Sequence, residues 1–195
     1  MPRREIHPIT ERVYCVRRPA YLSCSYVVLG EASVVFVDSG MDAEGQDRTW
    51  ALDQLERPLT QLRGVLVTLW HNDHCGGAAE LHARTGAPVF HHADARAKLH
   101  REERSSGLRR FFMMALPEVS ALGPLRALLD QAPPRALKEG VEVAEGDRLL
   151  DEFVVWETPG HEDGHLSFWF EPERVLFTGD ALAVVDDRVS YMSRW

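Results

Sequence analysis

The chain is poor in cysteine and shows no cysteine pattern. Cys15, Cys24 and Cys75 are spread over 195 residues with no CxxC pair. Neither a disulfide framework nor a cysteine zinc knuckle is indicated, and reduced thiols in a cytoplasmic protein are the simplest expectation. No apolar run approaches the length of a membrane span. The N-terminus, MPRREIHPIT, lacks the apolar core of a signal peptide. Positive charge is also in short supply: Lys plus Arg number 22 against 30 Asp plus Glu, a formal net charge of −8. That balance argues against nucleic acid and anionic membrane as partners, since both are held by cationic surface. REERSSGLRR at 101–110 is a local exception and reads as a solvated helix face. Internal repeats of solenoid period and low-complexity segments are absent.

What is present is an alternation of strands and helices. SYVVL (25–29) and SVVFV (33–37) are β-branched runs joined by Gly30-Glu31-Ala32, a hairpin signature. A polar turn, Asp38-Ser39-Gly40, follows. Ala43 to Leu55 fits a helix closed by Pro58, and a strand over 64–68 comes next. Residues 78–84 read as a helix stopped at Gly86, and 88–91 as a short strand. This is the mark of a layered α/β domain. Residues 93–130 hold no convincing strand, and a helical insertion at about 93–135 is expected, with Phe111-Phe112-Met113-Met114 as its apolar patch and Pro133-Pro134 as its end. Strands are expected again at 140–143, 153–157, 166–170 and 175–178. With no evident linker, residues 1–195 read as one domain, large enough to bury a core.

The chemistry-bearing residues sit where strands end. TLWHNDHCGG (68–77) places His71, Asp73 and His74 at one strand exit, ahead of two glycines. TPGHEDGH (158–165) places His161 and His165 in a loop after strand 153–157, and TGD (178–180) places Asp180 after strand 175–178. Strand 166–170 leaves the histidine loop and strand 175–178 returns over a similar length. At about 3.3 Å per residue the two legs nearly cancel, so Asp180 is expected beside the 161–165 loop. If strand 64–68 runs to the same edge, His71, Asp73, His74, His161 and Asp180 converge. Imidazoles and carboxylates together suit a borderline first-row cation, zinc first and iron or manganese next. The bland alternatives are that the histidines are solvated and that Asp73 and Asp180 cap helices. His91-His92 ends a strand and could face the site.

The strand pair ending Val37-Asp38-Ser39-Gly40, the 68–77 motif, the 158–165 loop and Phe177-Thr178-Gly179-Asp180 together resemble the metallo-β-lactamase superfamily. That superfamily includes glyoxalase II-type thioesterases, lactonases and β-lactamases, and the likeness runs from about residue 13 to the C-terminus. The resemblance implies a four-layer αββα sandwich with one or two zinc ions at one edge of the sheets. It implies that His71 and His161 hold a first ion, Asp73 and His74 a second, and that Asp180 bridges them. Asp38 would brace the histidine motif, and His165 would support the loop. The family motif T-H-x-H-x-D-H is here Thr68-Leu69-Trp70-His71-Asn72-Asp73-His74, so Leu69 stands where a histidine ligand is usual. Relatives also continue to a final histidine ligand, whereas this sequence stops at Trp195. The sandwich is therefore expected to be C-terminally shortened, with a second copy of the chain over the uncovered side.

The expected activity is hydrolysis of an ester, thioester, lactone or lactam in a small-molecule substrate. A metal-activated hydroxide, oriented by Asp73, would be the nucleophile. The alternative is a non-catalytic binding or scaffold protein that kept the fold and lost ligands.

Overall fold

The computed structural model describes residues 4–18, 23–100, 135–185 and 188–191. Thirteen strands in these segments form a seven-stranded sheet, a four-stranded sheet and a separate hairpin. The first sheet runs in chain order: β1 (Glu5–Pro8), β2 (Val13–Arg18), β3 (Ser23–Leu29), β4 (Val34–Val37), β5 (Leu62–Leu66), β6 (Val89–His92) and β7 (Val141–Val143). β1 to β4 make an antiparallel meander, and β4 to β7 are parallel. The parallel half needs crossovers, which helices α1 (Gln46–Gln54) and α3 (Ala78–Thr85) supply. The second sheet has the order β11-β10-β9-β8, from β8 (Arg148–Leu149), β9 (Phe153–Glu157), β10 (Leu166–Phe170) and β11 (Val175–Phe177). β12 (Leu182–Val185) and β13 (Arg188–Tyr191) form the hairpin.

Two cores follow from this layering. Between the sheets lie Val28, Val37, Leu66, Phe153, Val155, Phe168 and Phe170 with their neighbours. Strict alternation along LSFWF puts Leu166, Phe168 and Phe170 inside and Trp169 on the other face. Between the first sheet and its helices lie Val27, Phe36, Val65, Leu52 of α1 and Leu81 of α3. VVFV of β4 is buried on both faces because it stands between the two cores. Among the described residues no helix packs on the outer face of the second sheet, where Trp156 and Trp169 stack at 5.9 Å.

Most expected elements appear within a residue or two of their positions. The helix expected from Ala43 begins at Gln46, because Gly45 turns left-handed at φ 68° and Asp42 Oδ2 accepts the Asp47 N–H. Strand 64–68 is displaced to Leu62–Leu66. The short strands β1, β2, β8, β12 and β13, and the single turn of helix α2 (Asn72–Cys75), are additions to the expected set. Of the expected insertion, a 3-10 turn (Ala93–Ala95) and α4 (Arg96–Leu99) are seen, while 101–134 lies outside the described residues with its basic and Phe/Met segments. No described helix is long and apolar enough to cross a membrane.

The topology aims one set of strand ends at a single edge. Asp38 follows β4, residues 68–74 follow β5 and His92 ends β6, all parallel. β9 and β11 both run antiparallel to β10, so the 158–165 loop and Asp180 leave together from the second sheet. The Leu166 N–H donates to the Thr68 carbonyl at 2.8 Å and joins the two edges. Carboxyl ends of parallel strands are where open α/β sheets keep their sites.

Candidate metal centre

The 68–77 segment is folded back by a buried carboxylate. Asp38 sits at φ 59°, a left-handed conformation that Asp tolerates better than most residues. Its Oδ1 accepts the Thr68 N–H at 2.9 Å, and its Oδ2 lies 2.8 Å from both Thr68 Oγ1 and His74 Nδ1. Ser39 adds a second brace: its N–H and hydroxyl both donate to the His74 carbonyl, and its Oγ accepts the Gly77 N–H. The two glycines follow from this closeness. A Cβ at Gly76 would lie 2.7 Å from the Gly40 carbonyl oxygen, and one at Gly77 would lie 2.9 Å from that of Asp42.

With Nδ1 held by Asp38, His74 turns Nε2 toward Asp180 Oδ1 at 3.3 Å and Asp73 Oδ2 at 3.5 Å. Burial disfavours the charged ring, but the Asp38 carboxylate and then contacts with Asp180 outweigh it, holding the imidazole well above its ordinary range. Asp180 responds in kind. Burial pushes its carboxyl up, and His74 more than offsets this, so the net shift is downward. A cation held between Asp73, His74 and Asp180 would compete with the His74 proton, and its binding would then depend on pH.

Across the site, His71, His161 and Asp180 bring one ligand atom each within 4.8 Å of one another. The His71 and His161 rings lie 5.4 Å apart, nearly edge to face. His161 is buried, and neither ring nitrogen has a hydrogen-bond partner, although Asp180 Oδ2 is 3.5 Å from Nε2. A buried imidazole bare on both nitrogens is costly unless something occupies the space before it. That orphaned ring, facing a second imidazole and a carboxylate, fits a zinc-class ion.

All five residues expected to converge are thus at one edge. The helix-cap alternative for Asp73 and Asp180 is not seen, since the helices starting at 72, 78 and 179 have no side-chain cap bond. Leu69 is 1 % exposed and turned into the protein. Its neighbour Trp70 packs edge-on to His71 at 4.6 Å, with Lys98 of α4 over its ring. Of the adjacent histidines, His92 faces this side, with Nε2 3.4 Å from Glu157, and His91 points to the other face of the sheet.

Two residues support the ligand set, and one of them, Glu162, had no sequence argument of its own. Glu162 Oε1 lies 2.9 Å from His71 Nε2, which leaves Nδ1 as the nitrogen an ion would take. His165 accepts the Asp180 N–H on Nε2 at 3.1 Å and donates from Nδ1 to Thr158 Oγ1 at 2.8 Å. Burial lowers its ring to about 4, which keeps it neutral in that role. Gly179, at φ 48°, is required beside it, because a Cβ there would come within 2.7 Å of His165 Nε2. A histidine four residues after another in a Gly-rich loop is a visible signal for His165. The Glu162 contact has none, since it crosses two sheets.

Comparison with known proteins agrees with this geometry. The metallo-beta-lactamase superfamily model matches residues 19–190. A hydroxyacylglutathione hydrolase of Methylobacterium sp. (strain 4-46) is 31 % identical over 167 residues, covering 86 % of this chain and 46 % of the relative. A probable metallo-hydrolase, YflN, of Bacillus subtilis (strain 168) is 28 % identical over 79 % of this chain and 57 % of its own length. The chain therefore spans about half the length of the curated relatives it matches. Among solved structures, a metallo-beta-lactamase family protein from Thermus thermophilus superposes with a TM-score of 0.64 at 24 % identity, covering 90 % of this chain and 61 % of its own. The subclass B3 metallo-beta-lactamase MEM-A1, from a soil metagenome library, gives 0.62 at 18 % identity, covering 95 % and 60 %.

Proposed function

The chain belongs to the metallo-β-lactamase superfamily, and from that premise we propose that it is a metal-dependent hydrolase of an ester, thioester, lactone or lactam bond. The observation that carries this reading is the convergence of His71, Asp73, His74 and Asp180 on a buried His161 with no partner on either ring nitrogen. His71, His161 and Asp180 would hold one ion, and Asp73, His74 and Asp180 a second. Zinc is the first candidate, iron or manganese the next. Such an ion supplies a Lewis acid and lowers the pKa of water to about 7. Asp73 is the most solvent-open of the five side chains and is the group we assign to orient the attacking water. Asp38 and His165 fix His74 and Asp180 and need not touch substrate. We assign residues 1–195 to one domain, with a second copy of the chain as the partner over its C-terminal side.

The name of the Methylobacterium relative makes a hydroxyacyl thioester of glutathione the first substrate to test. Asp180→Ala should remove bound metal and thioesterase activity together. Hydrolysis that persists after chelation would overturn the mechanism.

A second reading, a non-catalytic binding protein, is favoured by one observation: Leu69 is buried and has no ligating atom. Elemental analysis of protein purified without added metal separates the two. One or two equivalents in the native chain supports the hydrolase. Near zero there, with metal regained in Leu69→His, supports the binding protein.

A further inference from the structure

Two thiols meet on the first sheet, beside the candidate centre but outside its ligand set. The β2–β3 ladder sets Cys15 against Tyr26 and Cys24 against Arg17, so Cys15 and Cys24 are diagonal neighbours on one face. That face is the one between the sheets, since Val13, Val28 and Tyr26 share it. Cys24 lies two residues beyond the last β3–β4 rung, Tyr26–Val37, toward the edge where Asp38 and Ser39 hold His74. Helix α2, which carries Asp73 and His74, packs on β3.

The three cysteines differ in what surrounds them. Cys75 is buried and gives its thiol to the Trp70 carbonyl at 3.0 Å. Cys15 is buried too, and its thiol donates to the Cys24 sulfur. Cys24 is half-buried and accepts from a second donor, the Arg17 guanidinium opposite it. A sulfur that accepts from a thiol and from a guanidinium is a stabilised thiolate. The Cys15 bond lowers Cys24 most, burial opposes it, and Arg17 with a smaller contribution from His74 completes the shift, to about 6. The same bond and burial raise Cys15 against the pull of Arg17 and Arg48, so it stays the protonated partner. Tyr26, raised by burial and by both sulfurs, keeps its proton and adds no charge.

We propose that Cys24 is a modification site, a nucleophilic thiol at the sheet edge that exchanges with small-molecule disulfides, its thiolate held by Cys15 and Arg17. Its sulfur attacks one sulfur of the disulfide, and a new S–S bond forms as the old one breaks. The second half leaves as a thiolate, so Cys24 is oxidised and the leaving sulfur reduced. Cys15 does not close the bond itself. Diagonal Cα atoms lie about 7–8 Å apart, beyond the roughly 6.8 Å that a disulfide spans. The pair therefore activates one thiol instead of forming a cross-link. A group attached to Cys24 stands beside the loop of Asp38 and Ser39 that braces His74. That such a group slows hydrolysis at the centre rests on the proposed function; the exchange itself does not.

The test is incubation of the full-length protein with glutathione disulfide, read by intact mass and peptide mapping, together with iodoacetamide alkylation followed against pH. One glutathionyl group per chain is expected, on Cys24, with Cys15 and Cys75 unmodified and no adduct on Cys24→Ser. Alkylation of Cys24 should rise through an inflection near pH 6. Cys15→Ala combined with Arg17→Gln should move that inflection toward the ordinary thiol value of about 8.5. Alkylation near pH 6 should then slow by about tenfold, because the lost thiolate fraction outweighs the gain in intrinsic nucleophilicity. Cys15→Ser keeps an O–H donor and should stay close to the native rate, whereas a purely structural Cys15 would leave the inflection in place in every variant. Arg17 is exposed, so Arg17→Gln alone raises the inflection without risk to folding. An unmodified Cys24, an inflection in the ordinary thiol range in the native chain, or a Cys15–Cys24 disulfide in place of the adduct would overturn the proposal, whatever the edge centre binds.

Discussion

Two histidines of the centre lean on carboxylates at nearly the same distance, His74 on Asp38 at 2.8 Å and His71 on Glu162 at 2.9 Å. Their surroundings differ. The Asp38 and His74 side chains are 3 % and 8 % exposed, and the carboxylate also holds Thr68. His71 and Glu162 are 27 % and 29 % exposed and stand in a loop. Equal distances therefore conceal unequal energies, because a desolvated pair left without one partner is costly and a hydrated one is not. The Asp38 pair is part of the fold's own structure, whereas the Glu162 pair matters chiefly to whatever His71 binds.

The largest effect should come from Asp38→Asn. Asn tolerates the left-handed backbone at this position, so the substitution removes charge with little strain. It leaves a buried His74 without its counter-charge, and a loss of about 3 kcal/mol is expected, at the low end for a broken buried pair. Denaturant unfolding of the metal-free protein measures it. A loss below about 1 kcal/mol would mean that His74 is not held by charge.

The next effect is a pH dependence with two opposed arms. His74 is raised well above 6.5 in the folded protein, so its contribution is complete below about 6.5 and is lost as pH rises through the folded value. His165 is lowered to about 4, so its contribution is complete above 6.5 and is lost as pH falls toward 4. For His165 the shift corresponds to about 3 kcal/mol at most. The metal-free protein should therefore be most stable near pH 6.5. His165→Gln should flatten the acid arm between pH 4 and 6.5 and leave the alkaline arm in place. An unchanged acid arm would assign that slope to other groups.

The same contrast explains what could be read from the sequence. Strand exits carrying His71, Asp73, His74, His161 and Asp180 were legible because ligand-type residues clustered after apolar runs, and the return of β11 beside β10 placed Asp180 by counting alone. The braces were harder. Asp38 was visible only through a family likeness, since its bonds to Thr68 and His74 join positions 30 and 36 residues apart. Glu162 reaches His71 across 91 residues and has no local signature. β1 and β2 have no signature of their own, because EIHP and VYCVRR lack clean alternation and are ordered by antiparallel pairing instead.

The smallest effect on stability, and the most specific, belongs to Glu162. An exposed carboxylate–imidazole pair contributes at most about 1 kcal/mol, so Glu162→Gln should scarcely move the unfolding midpoint. Metal affinity is a different matter. Glu162 takes one nitrogen of His71 and leaves the other for an ion held with His161 and Asp180, and loss of such a partner typically weakens a metal by about 10–100-fold. With Leu69 in place of a histidine the centre has fewer donors to spare, which places the expected loss toward the larger figure. Competition with a zinc chelator measures it, and cobalt substitution gives a second readout in the ligand-field bands. A Glu162→Gln protein that is as stable as the native chain but binds zinc an order of magnitude more weakly would separate the two pairs cleanly. Unchanged zinc affinity would mean that His71 needs no carboxylate to hold its orientation, and that Trp70, packed against its ring, does so alone.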